Sequence, residues 1–268
     1  MFNFETGWIG RISEDFTFAN VRRAATEIAD RLQTGAIIVG YDSRFLAERF
    51  AEETVKVMEG KGIGCYLVER DTPTPVVAWE VEDKGVAGAV MITAGSKSSD
   101  YCGIQFIKGK GALRQSSGQA RGKGQGVERF EPRERYLKHI AGQVDEAIIR
   151  RAKLKIVIDP MYGSGRGYLD KLLQGMGCRV EEIHNYREVL FGGMDPDPIE
   201  KNLHELKAKM KEFGADLGIA LNGDASSFAA VARGGKYCRG EGAKDALLEG
   251  LLLVERTARG IIHHKGAD

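Results

Sequence analysis

Three polar segments of this chain carry side chains that could transfer a group or hold an ion. The first, Thr93-Ala94-Gly95-Ser96-Lys97-Ser98-Ser99-Asp100, follows the apolar run Val90-Met91-Ile92. Ser96 offers a hydroxyl nucleophile next to the cation of Lys97, whereas Gly95 has no side-chain oxygen and can carry no phosphoryl group. The second is Asn222-Gly223-Asp224-Ala225-Ser226-Ser227. It holds one carboxylate, and amide and hydroxyl groups are poor ligands for a hard divalent cation. The third, Gly163-Ser164-Gly165-Arg166-Gly167, could cradle a phosphate on its backbone amides. It lacks the dinucleotide spacing GxGxxG, and a tight strand-to-helix turn accounts for the same residues. Cys102 lies near Lys97, which would lower its thiol pKa, although an inert core thiol is the simpler expectation. His263 and His264 are adjacent at the tail, the wrong spacing for one metal on a helix. His139, His184 and His204 show no partner spacing and receive no role.

These segments must be positioned by α/β units. Phe18, Val21, Ala25, Ile28 and Leu32 recur at steps of three and four and predict an amphipathic helix. A short strand over 36–40 follows and ends in Gly40-Tyr41-Asp42-Ser43-Arg44. A helix over 46–60, a strand over 63–68, a helix over 76–84 and a strand over 86–93 complete the first block. Helix returns at 132–140. The second block is expected to run through strands at 154–159, 180–183 and 217–220, with helices between them, one over 200–213, and a last helix over about 241–256. Strands alternating with helices imply right-handed crossovers and a mostly parallel, covered sheet. The boundary between two domains is placed at 145/146, giving 1–145 and 146–268.

Composition narrows the function classes. The chain has 268 residues, 43% hydrophobic and 29% charged, enough for two globular cores. With 39 basic and 38 acidic residues the net charge is +1, so there is no global attraction to nucleic acid or to an anionic membrane. No apolar run approaches the roughly 20 residues of a membrane span. The start, Met1-Phe2-Asn3-Phe4-Glu5, lacks a basic region followed by an apolar stretch. The four cysteines form no CxxC pair, so a reducing cytoplasm is the expected location. Segment 108–126 holds six glycines, five Lys or Arg and no acid, and is expected to form a loop. Without an aromatic residue to stack on bases, it gives little support to nucleic-acid binding.

Several of these motifs together resemble the α-D-phosphohexomutases, the phosphoglucomutase/phosphomannomutase family. In that family the serine loop reads Thr-Ala-Ser-His-Asn-Pro and runs on to Tyr-Asn-Gly-Ile-Lys-Phe. Here it is Thr93-Ala94-Gly95-Ser96-Lys97-Ser98 running on to Tyr101-Cys102-Gly103-Ile104-Gln105-Phe106. Gly40-Tyr41-Asp42-Ser43-Arg44 and Thr72-Pro73-Thr74-Pro75 look like framework signatures of the family's first domain. Val157-Ile158-Asp159-Pro160-Met161-Tyr162-Gly163-Ser164-Gly165 and Asp197-Pro198-Ile199-Glu200-Lys201-Asn202-Leu203 look like those of its second. The resemblance covers nearly the whole chain but only the first half of a four-domain family member. It implies two α/β/α domains with mixed or mostly parallel sheets.

The departures fall where the resemblance would place the chemistry. The phosphorylated serine is Gly95, the loop histidine is Ser96, and the lysine of Gly-Ile-Lys-Phe is Gln105, which does not titrate. The N-terminal Phe-Gly-Thr-Ser-Gly-Trp-Arg-Gly is matched by Phe4-Glu5-Thr6-Gly7-Trp8-Ile9-Gly10, with Ile9 at the arginine and Arg11 two residues on. The magnesium loop Asp-Gly-Asp-Ala-Asp-Arg is matched with Asn222 and Ser226 at two carboxylates, Asp224 as a remnant, and Ser227 at the arginine. No bound cofactor is therefore expected, although the family uses magnesium. A non-catalytic binding, regulatory or assembly protein is expected, as a homo-oligomer or in complex with another protein such as a full-length mutase. The alternatives are a residual or split phosphohexomutase using Ser96, and a sugar-phosphate sensor using Arg11, Arg44 and Lys97. Sugar-phosphate affinity is expected to be weak or absent.

Overall fold

The computed structural model describes residues 2–32, 35–109, 126–240 and 245–265. The chain divides into two compact units, Met1–Pro132 and Arg133–Asp268. The division falls earlier than the expected 145/146, because helix α4 (Arg133–Ala141) is anchored inside unit 2. Its buried Tyr136 hydroxyl donates to the Asp245 carboxylate at 2.6 Å, and its ring meets that of Tyr168 edge-on. Most of the expected basic loop, residues 110–125, lies outside the described residues.

Unit 1 is a six-stranded mixed sheet of order β1-β5-β4-β2-β3-β6. Strands β2 (Ala36–Tyr41), β3 (Gly64–Val68) and β4 (Gly88–Ile92) are parallel, as expected from their unbroken apolar runs. Helices α1 (Phe18–Leu32), α2 (Ala47–Gly60) and α3 (Thr74–Lys84) supply the crossovers and the covering layers. Helix α1 buries Val21, Ala25 and Ile28 of the apolar face read from the sequence, together with Ala24 and Ala29, while Phe18 is exposed. Strands β1 (Trp8–Arg11) and β5 (Tyr101–Lys108) extend the sheet antiparallel, and β6 (Val127–Phe130) adds to its far edge.

Unit 2 is a five-stranded mixed sheet of order β11-β10-β9-β7-β8. Strands β7 (Lys155–Asp159), β8 (Arg179–Glu182) and β9 (Leu217–Leu221) are parallel, while β10 (Phe228–Ala232) and β11 (Tyr237–Gly240) form an antiparallel hairpin. Helix α5 (Glu146–Ala152) precedes the sheet, α6 (Leu169–Gly175) follows β7 and α7 (His204–Phe213) follows β8. The last helix, α8 (Ala246–Lys265), continues well past residue 256. No helix among the described residues is long and apolar enough to cross a membrane.

Each sheet has a switch point where connections run to opposite sides of neighbouring parallel strands. In unit 1 it lies between β2 and β4, and in unit 2 between β7 and β9. In open α/β sheets the crevice at the carboxyl ends of two such strands is where ligands bind. Loops 42–46 and 93–100 meet at the first switch point, and loops 160–168 and 222–227 at the second.

Candidate functional site

At the first crevice a buried arginine holds the loop. Arg44 and Asp42 are fully buried, and Arg44 Nε donates to Asp42 Oδ2 at 3.0 Å. Arg44 Nη1 donates to the carbonyls of Ser98 (2.7 Å) and Tyr101 (3.2 Å). Its Nη2 donates to those of Gly95 (2.7 Å) and Lys97 (2.8 Å). All five guanidinium N–H groups are thus engaged within the protein. Thr93 Oγ1 donates to Asp42 Oδ2 at 2.7 Å and accepts the Gly95 amide at 2.9 Å. Gly95 lies in the left-handed region at φ +57°, the conformation that disfavours any side chain there. Arg44 therefore frames the loop, its guanidinium donors engaged by Asp42 and four loop carbonyls.

The remaining unit 1 candidates gather around the same loop. Strand β1 pairs with β5 so that Ile9 faces Gly103 and Arg11 faces Tyr101. That register sets Ile9, Arg11, Tyr101 and Gln105 on one face of the sheet. A Cβ on Gly103 would lie 2.4 Å from the Thr93 carbonyl oxygen and 2.9 Å from Ile9 Cγ1, so the close approach of three strands requires glycine there. Ile9 is 45% exposed, an apolar side chain where the resemblance places an arginine. Arg11 is exposed and paired with Glu14 and Asp100, both at 3.4 Å. Glu14, then Tyr101 and Asp100, raise its pKa, so it is a fixed cation at the rim. Lys97 is exposed and Ser96 half-buried. Cys102 is fully buried, and desolvation pushes its thiol pKa up, opposite to activation by Lys97.

At the second crevice the loop 222–227 is closed on itself. Asn222 and Asp224 are buried. Asn222 Nδ2 donates to Ser226 Oγ at 3.2 Å, and Ser226 Oγ donates to Asp224 Oδ1 at 2.6 Å. Asp224 Oδ1 also accepts the Ser226 amide at 3.2 Å, and Asn222 Oδ1 accepts the Ser227 amide at 2.9 Å. The donor set does not fit magnesium. One carboxylate remains, one of its oxygens already accepts two hydrogen bonds, and the two replaced ligands are committed to each other. Among the described residues, no three His, Cys, Asp or Glu side chains converge where they could hold a metal ion.

The turn 163–167 is structural. The Ser164 amide donates to the Gly223 carbonyl at 2.9 Å, and a Cβ on Gly163 would lie 2.6 Å from the same oxygen. Arg166 is buried and its Nη1 donates to the carbonyls of Tyr162 and Gly163.

His184, whose spacing from the other histidines suggests no partner, is held on both ring nitrogens. Nδ1 lies 3.0 Å from Asp159 Oδ1, and Nε2 lies 3.2 Å from Glu205 Oε2. The hydrogen bond to Asp159 raises its pKa above the usual imidazole value, partly opposed by burial, with Glu205 adding to the rise. The Tyr162 ring lies over it at 4.5 Å. Met161, Tyr162 and His184 all have positive φ, a concentration of strain typical of sites under functional or folding constraint. Adjacent parallel strands β7 and β8 end together at Asp159 and at Ile183-His184, and that convergence was the available signal.

Comparison with known proteins agrees with this architecture. Residues 3–120 match the family model "Phosphoglucomutase/phosphomannomutase, alpha/beta/alpha domain I", and residues 134–235 match "alpha/beta/alpha domain II". A probable phosphoglucosamine mutase of Methanothermobacter thermautotrophicus is 27% identical over 250 residues, covering 87% of this chain and 54% of that protein. A phosphomannomutase/phosphoglucomutase of Pseudomonas putida is 31% identical over 213 residues, 74% of this chain and 44% of that protein. The crystal structure of a putative phosphomannomutase from Thermus thermophilus superposes with a TM-score of 0.78 at 28% identity, over 88% of this chain and 58% of that one. Two consecutive mixed α/β units with these loops at their crevices define the first half of a phosphohexomutase fold. The chain belongs to the phosphoglucomutase/phosphomannomutase family, and it spans about half the length of the curated relatives it matches.

Proposed function

We propose that this chain is a non-catalytic member of its family that acts by binding a partner protein, either another copy of itself or a full-length mutase. One observation carries the proposal. The frame of the first crevice is complete down to the fifth hydrogen bond of Arg44, while Ile9, Gly95 and Gln105 replace the groups phosphoryl transfer would need. Phosphoryl transfer depends on positioned charge, and the nucleophile, cation and acid that the resemblance expects to stabilise the moving phosphate are replaced together. The sensor reading loses support from Arg44, whose cation is engaged by the loop, and from Arg11, which is paired with two carboxylates. Exposed apolar side chains support protein binding: Ile9, which approaches Gly103, and Phe45, which follows Arg44 in the chain. A cytoplasmic setting belongs to the same reading, since all four cysteines are unpaired thiols.

The test is phosphomutase turnover and intact mass of the purified chain with magnesium, hexose phosphate and glucose 1,6-bisphosphate. No turnover and no added phosphate are expected. Turnover, or a phosphate mapped to Ser96, would overturn the proposal in favour of a residual or split mutase. Calorimetric heat with glucose 6-phosphate, in the absence of turnover, would replace it with a sensor.

A further inference from the structure

Loop 222–227 is closed by hydrogen bonds among its own side chains and amides, and the manner of closure is specific. The Ser227 amide donates to Asn222 Oδ1 at 2.9 Å, which fixes the orientation of that amide and turns Nδ2 towards Ser226. A hydroxyl has one hydrogen to donate and lone pairs to accept with. Ser226 Oγ uses both capacities, accepting from Asn222 Nδ2 and donating to Asp224 Oδ1 at 2.6 Å. The resulting chain runs one way, from amide to hydroxyl to carboxylate. Its three members stand at the three positions where the family resemblance expects carboxylates around magnesium. Asn222 Nδ2 and Ser226 Oγ thus stand as hydrogen-bond donors at positions where the resemblance expects carboxylates, and a donor repels a cation that a carboxylate would attract.

The backbone is tied around the same residues. The Asn222 amide donates to the Ser227 carbonyl at 3.0 Å and the Ala225 amide to the Asn222 carbonyl at 2.9 Å, with Ala225 held at φ +52°. The Gly223 carbonyl accepts the Ser164 amide, and the Gly223 amide donates to the Pro196 carbonyl at 3.2 Å. The loop is thereby fixed to the turn after β7 and to segment 195–198.

We propose that Ser226 has taken over the closing role of the cation, so that the hydrogen-bond chain Asn222–Ser226–Asp224 cross-links the loop and leaves unit 2 independent of divalent ions. The proposal holds whether or not the chain turns over a substrate, because it concerns the fold of this loop alone. Ser226→Ala is expected to lower the melting temperature by about 2 to 4 °C, since it removes two linked hydrogen bonds, from Asn222 Nδ2 to Ser226 Oγ and from Ser226 Oγ to Asp224 Oδ1. Ser226→Thr, which keeps the hydroxyl, should stay near wild type. Titrating the intact chain with manganese, followed by melting temperature and water-proton relaxation, should show no site in wild type. The Asn222→Asp, Ser226→Asp double variant should gain a manganese-dependent rise in melting temperature, because it restores three carboxylates at ligand spacing. A wild-type chain that binds manganese as well as the double variant would overturn the proposal, as would a Ser226→Ala variant that melts like wild type. A folded double variant that takes no manganese would overturn it too.

Discussion

Arg44 Nε lies 3.0 Å from Asp42 Oδ2, and neither side chain has any exposure to solvent. Burying two charges is costly and is sustained only when every remaining donor and acceptor is satisfied. Here that condition is met by four loop carbonyls for the guanidinium and by Thr93 for the carboxylate. The ion pair therefore acts as a template: it dictates the path of residues 95–101, whatever side chains those residues carry.

Replacing Arg44 by Ala should cost about 3 to 5 kcal/mol, because the Asp42 charge would remain buried without its partner. Arg44→Lys should be only partly better, since an ammonium has three donors and no planar fork. Urea unfolding measures both. A loss below about 1 kcal/mol for Arg44→Ala, the range of an exposed pair, would show that the loop holds its own shape.

Restoring the serine at residue 95 should not restore chemistry. At φ +57° a side chain costs about 1 kcal/mol relative to glycine, so Gly95→Ser should be slightly destabilised. Mutase turnover should stay at background, because Ile9 and Gln105 still supply neither cation nor acid. Appearance of turnover or of a phosphoserine at residue 95 in this single variant would mean that the surrounding substitutions matter little.

Strands β2, β3 and β4 of unit 1, strands β7, β8 and β9 of unit 2 and their helices were legible because unbroken β-rich runs alternate with periodic amphipathic ones. The antiparallel additions were not. Strand β1 has only four residues, and β5 carries exposed Gln105 and Lys108 beside buried Ile104, so neither gives a clean period. The hairpin β10–β11 was hidden for a related reason: Phe228–Ala232 reads as small apolar residues without a flanking strand signal. At the crevices, the residue substitutions were legible from the motifs, but their physical consequences were not. Arg44 looked like a free cation because a sequence cannot show which carbonyls will converge on it. The pairing of His184 with Asp159 and Glu205 depends on two strand ends and a helix start meeting in space.

His184 makes stability depend on pH in a defined direction. Its folded pKa is raised chiefly by Asp159, with Glu205 facing the other ring nitrogen and His204 pairing with the second Glu205 oxygen at 3.6 Å. A raised folded pKa means that the protonated form is favoured by folding. The contribution is then complete below the ordinary imidazole value of about 6.5 and is lost as pH rises through the raised one. His184→Gln, compared with wild type by melting temperature from mildly acid to mildly alkaline pH, should show its largest deficit at the acid end. A deficit that grows with rising pH would mean that His184 is held neutral.

Association should depend on the apolar side chains beside the loop. Ile9 and Phe45 are 45% and 52% exposed, so Ile9→Asp and Phe45→Asp remove little core packing and should each change stability by no more than about 0.5 kcal/mol. If this face binds a second copy or a mutase, a buried carboxylate there would cost several kcal/mol of binding and dissociate the complex. Light scattering behind size exclusion, with and without a full-length mutase of the family, reads the mass directly. Wild type should elute as a complex in one of the two conditions, and the aspartate variants as a 29.3 kDa monomer in both. A wild-type chain that is monomeric in both conditions, or variants that associate as wild type does, would remove this face from consideration.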